Sequence, residues 1–350
     1  MKRKHIILKC ALLALLSAGA GGCNTTPLRE SERALIPVEQ AGQKTVETRI
    51  AALKKVMAPL KTRGVSVDLN AYAHHPMPGQ EILKAVKKMG FNRICCRISS
   101  ESELSETLQK LLVSAAAEKL PVELVLRQGD FKQRFRGNAL VRALLPQFRQ
   151  LPEMAEEIVR FNETLPANAK IAGVQVVFEP HRFTYANGAS EIPGLLYLWS
   201  DATFGKGLDN DKLVELSIKQ LEKMKANLKG IPLSVELPDF YPLWKKEGKL
   251  TRGSAKDFSA IGKVVIRCTG NLPSQLVNNS KTAMADAKEV TAVIPLADHT
   301  SVRSGALRRR DWNDLVRALG FFISSTRKAN CSGVILRPLS ELGYMLLEQD

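Results

Sequence analysis

The chain reads as an α/β protein, a (β/α)8 TIM-type barrel preceded by a signal peptide, a tether and one N-terminal helix. Three observations predict it. Short runs rich in Val, Ile and Leu recur eight times between residues 65 and 338, helical stretches separate most of them, and charged residues gather at their C-terminal ends. Continuous β-branched runs alternating with amphipathic helices argue for parallel strands covered on both faces. Eight such units over the length of one domain fit a closed barrel. An open doubly wound sheet is the alternative, but no Gly-rich phosphate loop follows the first run.

Residues 1–22 have the shape of a secretory signal. Lys2, Arg3 and Lys4 come first, then an apolar run centred on 10–16, then small residues up to Cys23. The apolar run is short for a membrane-spanning helix. Residues 24–40 are polar and mixed, fit for a tether. Within 41–60, Val46, Ile50, Leu53 and Met57 keep helical spacing. The predicted organisation is a signal over 1–22, Cys23 with tether and helix over 23–62, and a barrel over 63–350.

The predicted strands are "VSVDLN" (65–70), "NRICCRI" (92–98), "VELVLRQ" (122–128) and "AGVQVVFE" (172–179). They continue with "IPLSVELP" (231–238), "KVVIRCTG" (263–270), "VTAVIPLA" (291–297) and "SGVILRP" (332–338). Helices are predicted over 79–90, 105–119, 151–162, 209–230, 274–287 and 311–330, with a last one from about Ser340. The segment "LTRGSAKDFSAIG" after the fifth strand is a poor helix, so one unit is irregular.

The formal charge is +16, and Lys2, Arg3, Lys4 and Lys9 of the signal account for four, leaving +12. On an exported chain such a surface argues against nucleic acid as the partner. It points to anionic glycans, lipid headgroups or acidic ligands. With Cys10 in the signal and Cys23 at its end, Cys95, Cys96, Cys268 and Cys331 remain. Cys95 and Cys96 are neighbours on one strand and point to opposite faces. Buried free thiols are expected, because the chain is long enough to bury a core without disulfides. No Cys-x-x-Cys or His–Cys spacing suggests zinc, and no cofactor or metal is expected. Oligomeric state is not legible.

In a barrel the C-terminal strand ends form the functional face. Those ends offer Asp68, Arg97, Arg127, Glu179 with His181, Glu236, Arg267, Asp298 and Arg337. Guanidinium stays charged when partly buried and forks onto carboxylate, sulfate or phosphate. The same arginines can instead pair with the strand-end carboxylates and tie the mouth together. Tyr185, Trp199 and Trp244 fall after strands four and five, where flat rings with a polar handle suit sugar faces. They suit a small loop core equally well.

Two stretches carry family resemblances. "AGGC", ending at Cys23, resembles the bacterial lipoprotein box, although Ala20 stands where Leu is usual. That implies cleavage before Cys23, acyl chains such as palmitate on it, and attachment to a membrane. Asn24 follows instead of Asp, which in that family favours the outer membrane. "Glu179-Pro180" at the end of strand four resembles the (β/α)8 glycoside hydrolase superfamily, in which Asn-Glu-Pro marks the general acid/base. Phe178 replaces that Asn, and strand seven ends "PLADHT" without the family's second Glu.

The resemblance implies Glu179 as general acid, with Glu236 or Asp298 as second carboxylate and Asp68 as a third candidate. Arg97, Arg127, Arg267 and Arg337 would hold anionic substituents, and His181, Tyr185, Trp199 and Trp244 the sugar. Glu179 and Glu236 lie on adjacent strands, so mutual repulsion is expected to raise one pKa, as an acid requires. The other reading is a barrel lipoprotein that binds a glycan or scaffolds partners without catalysis. Intact-mass measurement of the membrane fraction tests the anchor: the chain should begin at Cys23 and carry acyl mass, and Cys23→Ser should carry none.

Overall fold

The computed structural model describes residues 43–74, 78–128, 133–134, 140–142, 150–182, 184–186, 210–298, 307–309 and 311–347. Eight strands form the barrel: β1 (Thr62–Asp68), β2 (Arg93–Arg97), β3 (Val122–Arg127), β4 (Gly173–Val177), β5 (Leu233–Pro238), β6 (Lys263–Arg267), β7 (Val290–Asp298) and β8 (Cys331–Arg337). Each pairs in parallel with the next, and β8 pairs with β1, so the ring is closed and the open-sheet alternative falls away.

The side-chain period of two sorts each strand into an inner and an outer set. Cys95, Val125, Val177, Val265, Val293 and Ile335 fill the middle of the barrel as a small core of their own. The opposite faces, with Ile94, Cys96, Leu124 and Val176, pack under the helices in the larger core. Cys95 and Cys96 therefore point to opposite sides, and Cys95, Cys96, Cys268 and Cys331 are all buried free thiols.

The helices are α1 (Gln43–Met57), α2 (Gly79–Lys88), α3 (Glu106–Ala117), α4 (Leu151–Thr164), α5 (Asn210–Asn227), α6 (Phe240–Lys246), α7 (Pro273–Met284), α8 (Trp312–Thr326) and α9 (Leu339–Leu347). Their starts carry local signals. Gln150 and Glu153 cap α4 reciprocally, and the Asp311 carboxylate accepts the Asp314 N–H at 2.8 Å at the head of α8. The irregular unit before β6 holds, besides α6, one short helix, Ala255–Phe258. The Asp257 carboxylate fixes it by accepting from Gly253 N, Ser254 N and Lys245 Nζ at 2.7–2.9 Å.

α1 is part of the barrel wall. Val46, Ile50, Leu53 and Met57 are buried, as their spacing predicts. Arg49 Nη1 donates to the Leu346 carbonyl at 2.9 Å, and Trp312 Nε1 donates to the Arg49 carbonyl at 3.0 Å. The helix thus ties the start of the described chain to α8 and to the last helix. Three short strands, Gln133–Arg134, Leu140–Arg142 and Thr184–Ala186, pair antiparallel in the connections after β3 and β4. No sequence run announced them. Leu307–Arg309 extends the far end of β7 in parallel. Among the described residues no helix is long and apolar enough to cross a membrane.

Trp312 is fully buried. Trp312→Ala should cost about 3–5 kcal/mol, the range for deleting a large buried ring. Chemical denaturation read by circular dichroism checks it, and a cost under about 1 kcal/mol would mean α1 is only loosely docked.

Candidate functional site

Parallel register brings the strand-end charges together. Glu179 lies two residues beyond Val177 of β4, so it shares the inward side with Gln175 and Val177. Val177 pairs with Arg127 of β3 on one side and with Glu236 of β5 on the other. Pro238 of β5 pairs with Arg267, and Pro295 of β7 pairs with Arg337. Three arginines and two glutamates thereby meet inside the C-terminal mouth.

The contacts form one continuous network. Arg127 forks onto Glu179, Nε to Oε2 and Nη2 to Oε1, both at 3.1 Å. Arg337 forks onto Glu236, Nη1 to Oε1 at 3.0 Å and Nη2 to Oε2 at 2.8 Å. Arg267 stands between the two carboxylates, with Nη1 donating to Glu179 at 3.4 Å and Nε 3.8 Å from Glu236. Gln175 Nε2 adds a short hydrogen bond to Glu236. Glu179 and Glu236 are 1 % and 0 % exposed, whereas the three arginine side chains keep 20–23 %. The carboxylates are the floor of the site and the arginines face the opening.

The arginines decide the electrostatics of Glu236. Burial by itself would raise the Glu236 pKa, but the charges of Arg337 and Arg267, with bonds from Arg337 and Gln175, outweigh it. The carboxyl is held below its ordinary value. Repulsion between the two glutamates does not prevail at Glu236, because Arg267 lies between them.

His181, Tyr241, Asp239 and Thr269 complete the mouth on the β4–β5–β6 side. The Tyr241 hydroxyl accepts the His181 backbone N–H at 3.3 Å and lies 2.9 Å from His181 Nδ1. That pattern has the hydroxyl donating to Nδ1 and puts the imidazole proton on Nε2. Burial, then the charges of Arg267 and Arg127, push His181 down to about 3, so the ring is neutral at pH 7. Asp239, 1 % exposed, accepts from Thr269 N at 2.5 Å and from Thr269 Oγ1 at 2.7 Å. Burial pushes it up to about 6 against those bonds and the Arg267 charge.

The predicted residues divide clearly. Arg127, Glu179, Glu236, Arg267 and Arg337 converge, with His181 beside them. Asp68 and Arg97 stand in register at the same rim, on β1 and β2. Trp244 is on α6, its ring 4.7 Å from Phe240, and both rings are partly buried against the core, as the packing alternative held. Phe240 in turn meets His181 edge-on at 5.0 Å. Trp199 and Cys23 lie outside the described residues, and for Tyr185 and Asp298 only the strand positions of the backbone are described. Sequence reasoning placed Asp239 after Glu236 at this rim but missed Gln175, Gln128 and Thr269, which holds Asp239. The signal for Gln175 was present, since it lies four residues before Glu179 on an alternating strand. Among the described residues no group of three or more His, Cys, Asp or Glu could hold a metal ion.

No protein-family model and no curated protein matches this sequence. The chain is similar to solved (β/α)-barrel structures. One is a psychrophilic glycoside hydrolase family 10 endo-β-1,4-xylanase (13 % identity, 82 % of this chain and 88 % of that one, TM-score 0.44). Others are the Bacillus megaterium spore cortex-lytic enzyme SleL (13 %, 80 % and 71 %, 0.45) and the Eisenia fetida endo-1,4-β-mannanase (11 %, 76 % and 81 %, 0.44). At these values the likeness says nothing about activity, and the barrel rests on the strand pairing above.

Breaking a buried pair leaves an uncompensated charge, which is strongly destabilising. Arg337→Met should therefore cost about 3–5 kcal/mol, and adding Glu236→Gln should recover much of that. Urea midpoints of the two single variants and the double variant check it; purely additive losses would contradict the pairing.

Proposed function

We propose that this protein is an envelope-anchored barrel that binds a carbohydrate bearing anionic groups at its C-terminal mouth, without hydrolysing it. One observation carries the reading: three guanidiniums neutralise two buried glutamates, and the third positive charge faces the opening with only Asp239 to offset it. A general acid needs a raised pKa and a general base needs reach to its substrate. Both glutamates lie beneath the arginines and are clamped by them, which denies them that reach. The anchor, through lipid on Cys23 at the outer membrane, belongs to the same proposal and is supported by the "AGGC" stretch and Asn24.

The donors support an anionic ligand. Arg127 directs Nε and Nη2 at Glu179, and Arg267 directs Nη1 and Nε at the glutamates. Buried Gln128 Nε2 has no protein partner among the described residues, while Gln128 Oε1 accepts the Glu179 N–H at 3.2 Å. Orphaned buried donors are costly, and a bound oxyanion is one group that would satisfy them. The partly buried Phe240 ring, edge-on to His181, supplies an apolar face at the mouth, which suits a sugar ring carrying the charge.

Asp239 gives the site a pH dependence. Above about pH 6 its carboxylate offsets the surplus guanidinium, and below that it is neutral. Affinity for an anionic oligosaccharide should therefore rise several-fold from pH 7 to pH 5, and Asp239→Asn should flatten the rise. Calorimetric titration of residues 24–350 with uronic-acid and neutral oligosaccharides tests both points. The proposal expects uronate binding, weakened about tenfold in Arg127→Lys, which keeps charge but loses the fork. Release of reducing ends that depends on Glu179 would replace it with the hydrolase reading.

A further inference from the structure

The opposite end of the barrel carries a separate signal. The connections from each helix into the next strand form the N-terminal face, where side chains ordinarily serve stability. Lys61, Lys119, Lys170, Lys229, Lys288, Arg327 and Lys328 stand in six of the eight connections, and all are exposed. The acidic residues of those same connections are Glu118, Asp286 and Glu289. The two remaining connections, residues 89–92 and 259–262, carry no charge.

The bland explanation is that cations collect where helix dipoles end. It accounts for Lys170, whose Nζ donates to the Asn162 and Glu163 carbonyls at the end of α4. It does not account for the backbone at two others. Lys119 and Lys229 have φ of 54° and 47°, left-handed values at helix-terminating positions that glycine or asparagine normally fills. Asn330, on the same face, conforms with φ of 66°. Lysine at such a position is strained, and strain kept at a position points to a role for the side chain. Here the side chain brings a charge to an outward turn.

We propose that the N-terminal face docks electrostatically on a bilayer surface rich in anionic phospholipid. The layout favours a membrane over a linear polyanion. The cations are spread around the circumference of the barrel end instead of lining one groove, so a plane can meet them together while a strand cannot. Docking in this way turns the mouth with Arg127, Arg267 and Arg337 away from the bilayer and into solvent. The proposed anchor is compatible with this. α1 runs about 22 Å down the barrel wall to reach this face, and the 19 residues from Asn24 to Gly42 reach about 60 Å when extended. The inference does not depend on the glycan reading.

The strained lysines supply a clean test. Lys119→Gly and Lys229→Gly remove charge and suit a left-handed backbone, so the double variant should be as stable as the parent or more so. All strands and helices of the barrel lie between Gln43 and Leu347, so residues 24–350 can be used without acyl chains. Vesicles of phosphatidylglycerol and phosphatidylcholine should co-sediment the parent, and pure phosphatidylcholine should not. About 0.5 M NaCl should release it, since screening is then short-ranged. Each lysine near an anionic surface contributes about fivefold, so the double variant should bind some 25-fold more weakly with an unchanged or raised melting temperature. Equal vesicle binding by parent and double variant overturns the proposal. So does equal binding to pure phosphatidylcholine, or binding to heparin without binding to vesicles.

Discussion

Arg267 is the residue on which the mouth depends. Two carboxylates with almost no exposure each face a desolvation penalty of several kcal/mol, and side by side they would also repel. Arg127 and Arg337 each clamp one of them from an outer strand, and Arg267 contacts both from β6. Without that shared guanidinium there would be two separate ion pairs with like charges facing each other. With it, β3, β4, β5, β6 and β8 are joined by one hydrogen-bonded net at the rim of a closed barrel.

That net also decides what chemistry suits the site. A hydrolytic pair keeps one carboxyl protonated and the other open to substrate. Here guanidiniums cover the carboxylates, and the mouth carboxyl with a raised pKa is Asp239, which is occupied by Thr269. The neutral His181 extends the polar surface towards Phe240 without adding charge. The molecule is polar along its axis as well. One end concentrates arginines over buried acids in a mouth, and the other spreads lysines across a broad face.

Much of this was legible in the residues. Continuous apolar runs such as "VVI" (264–266) and "VIL" (334–336) placed the strands within a few positions, because strands buried on both faces leave little room for polar residues. The inward side of each strand followed from period two, which put Arg127, Glu179, Glu236, Arg267 and Arg337 at one rim. Who pairs with whom did not follow. It depends on the stagger between strands, which brings Pro238 level with Arg267 and Pro295 level with Arg337, and no single strand encodes that. The lowered pKa of Glu236 was not legible for the same reason, since it turns on where Arg337 and Arg267 stand. The three short antiparallel strands escaped notice because two or three residues carry no periodicity.

The claim that these glutamates anchor arginines instead of moving protons is tested most directly at the Glu236 carboxyl. Carbon-13 NMR of protein labelled at the glutamate carboxyls, with the resonance assigned through Glu236→Gln, follows its ionisation with pH. The account predicts that Glu236 stays ionised from pH 8 down past the ordinary glutamate value. A titration step for that resonance between pH 5 and 7 would contradict it and return the carboxylate pair to acid–base catalysis.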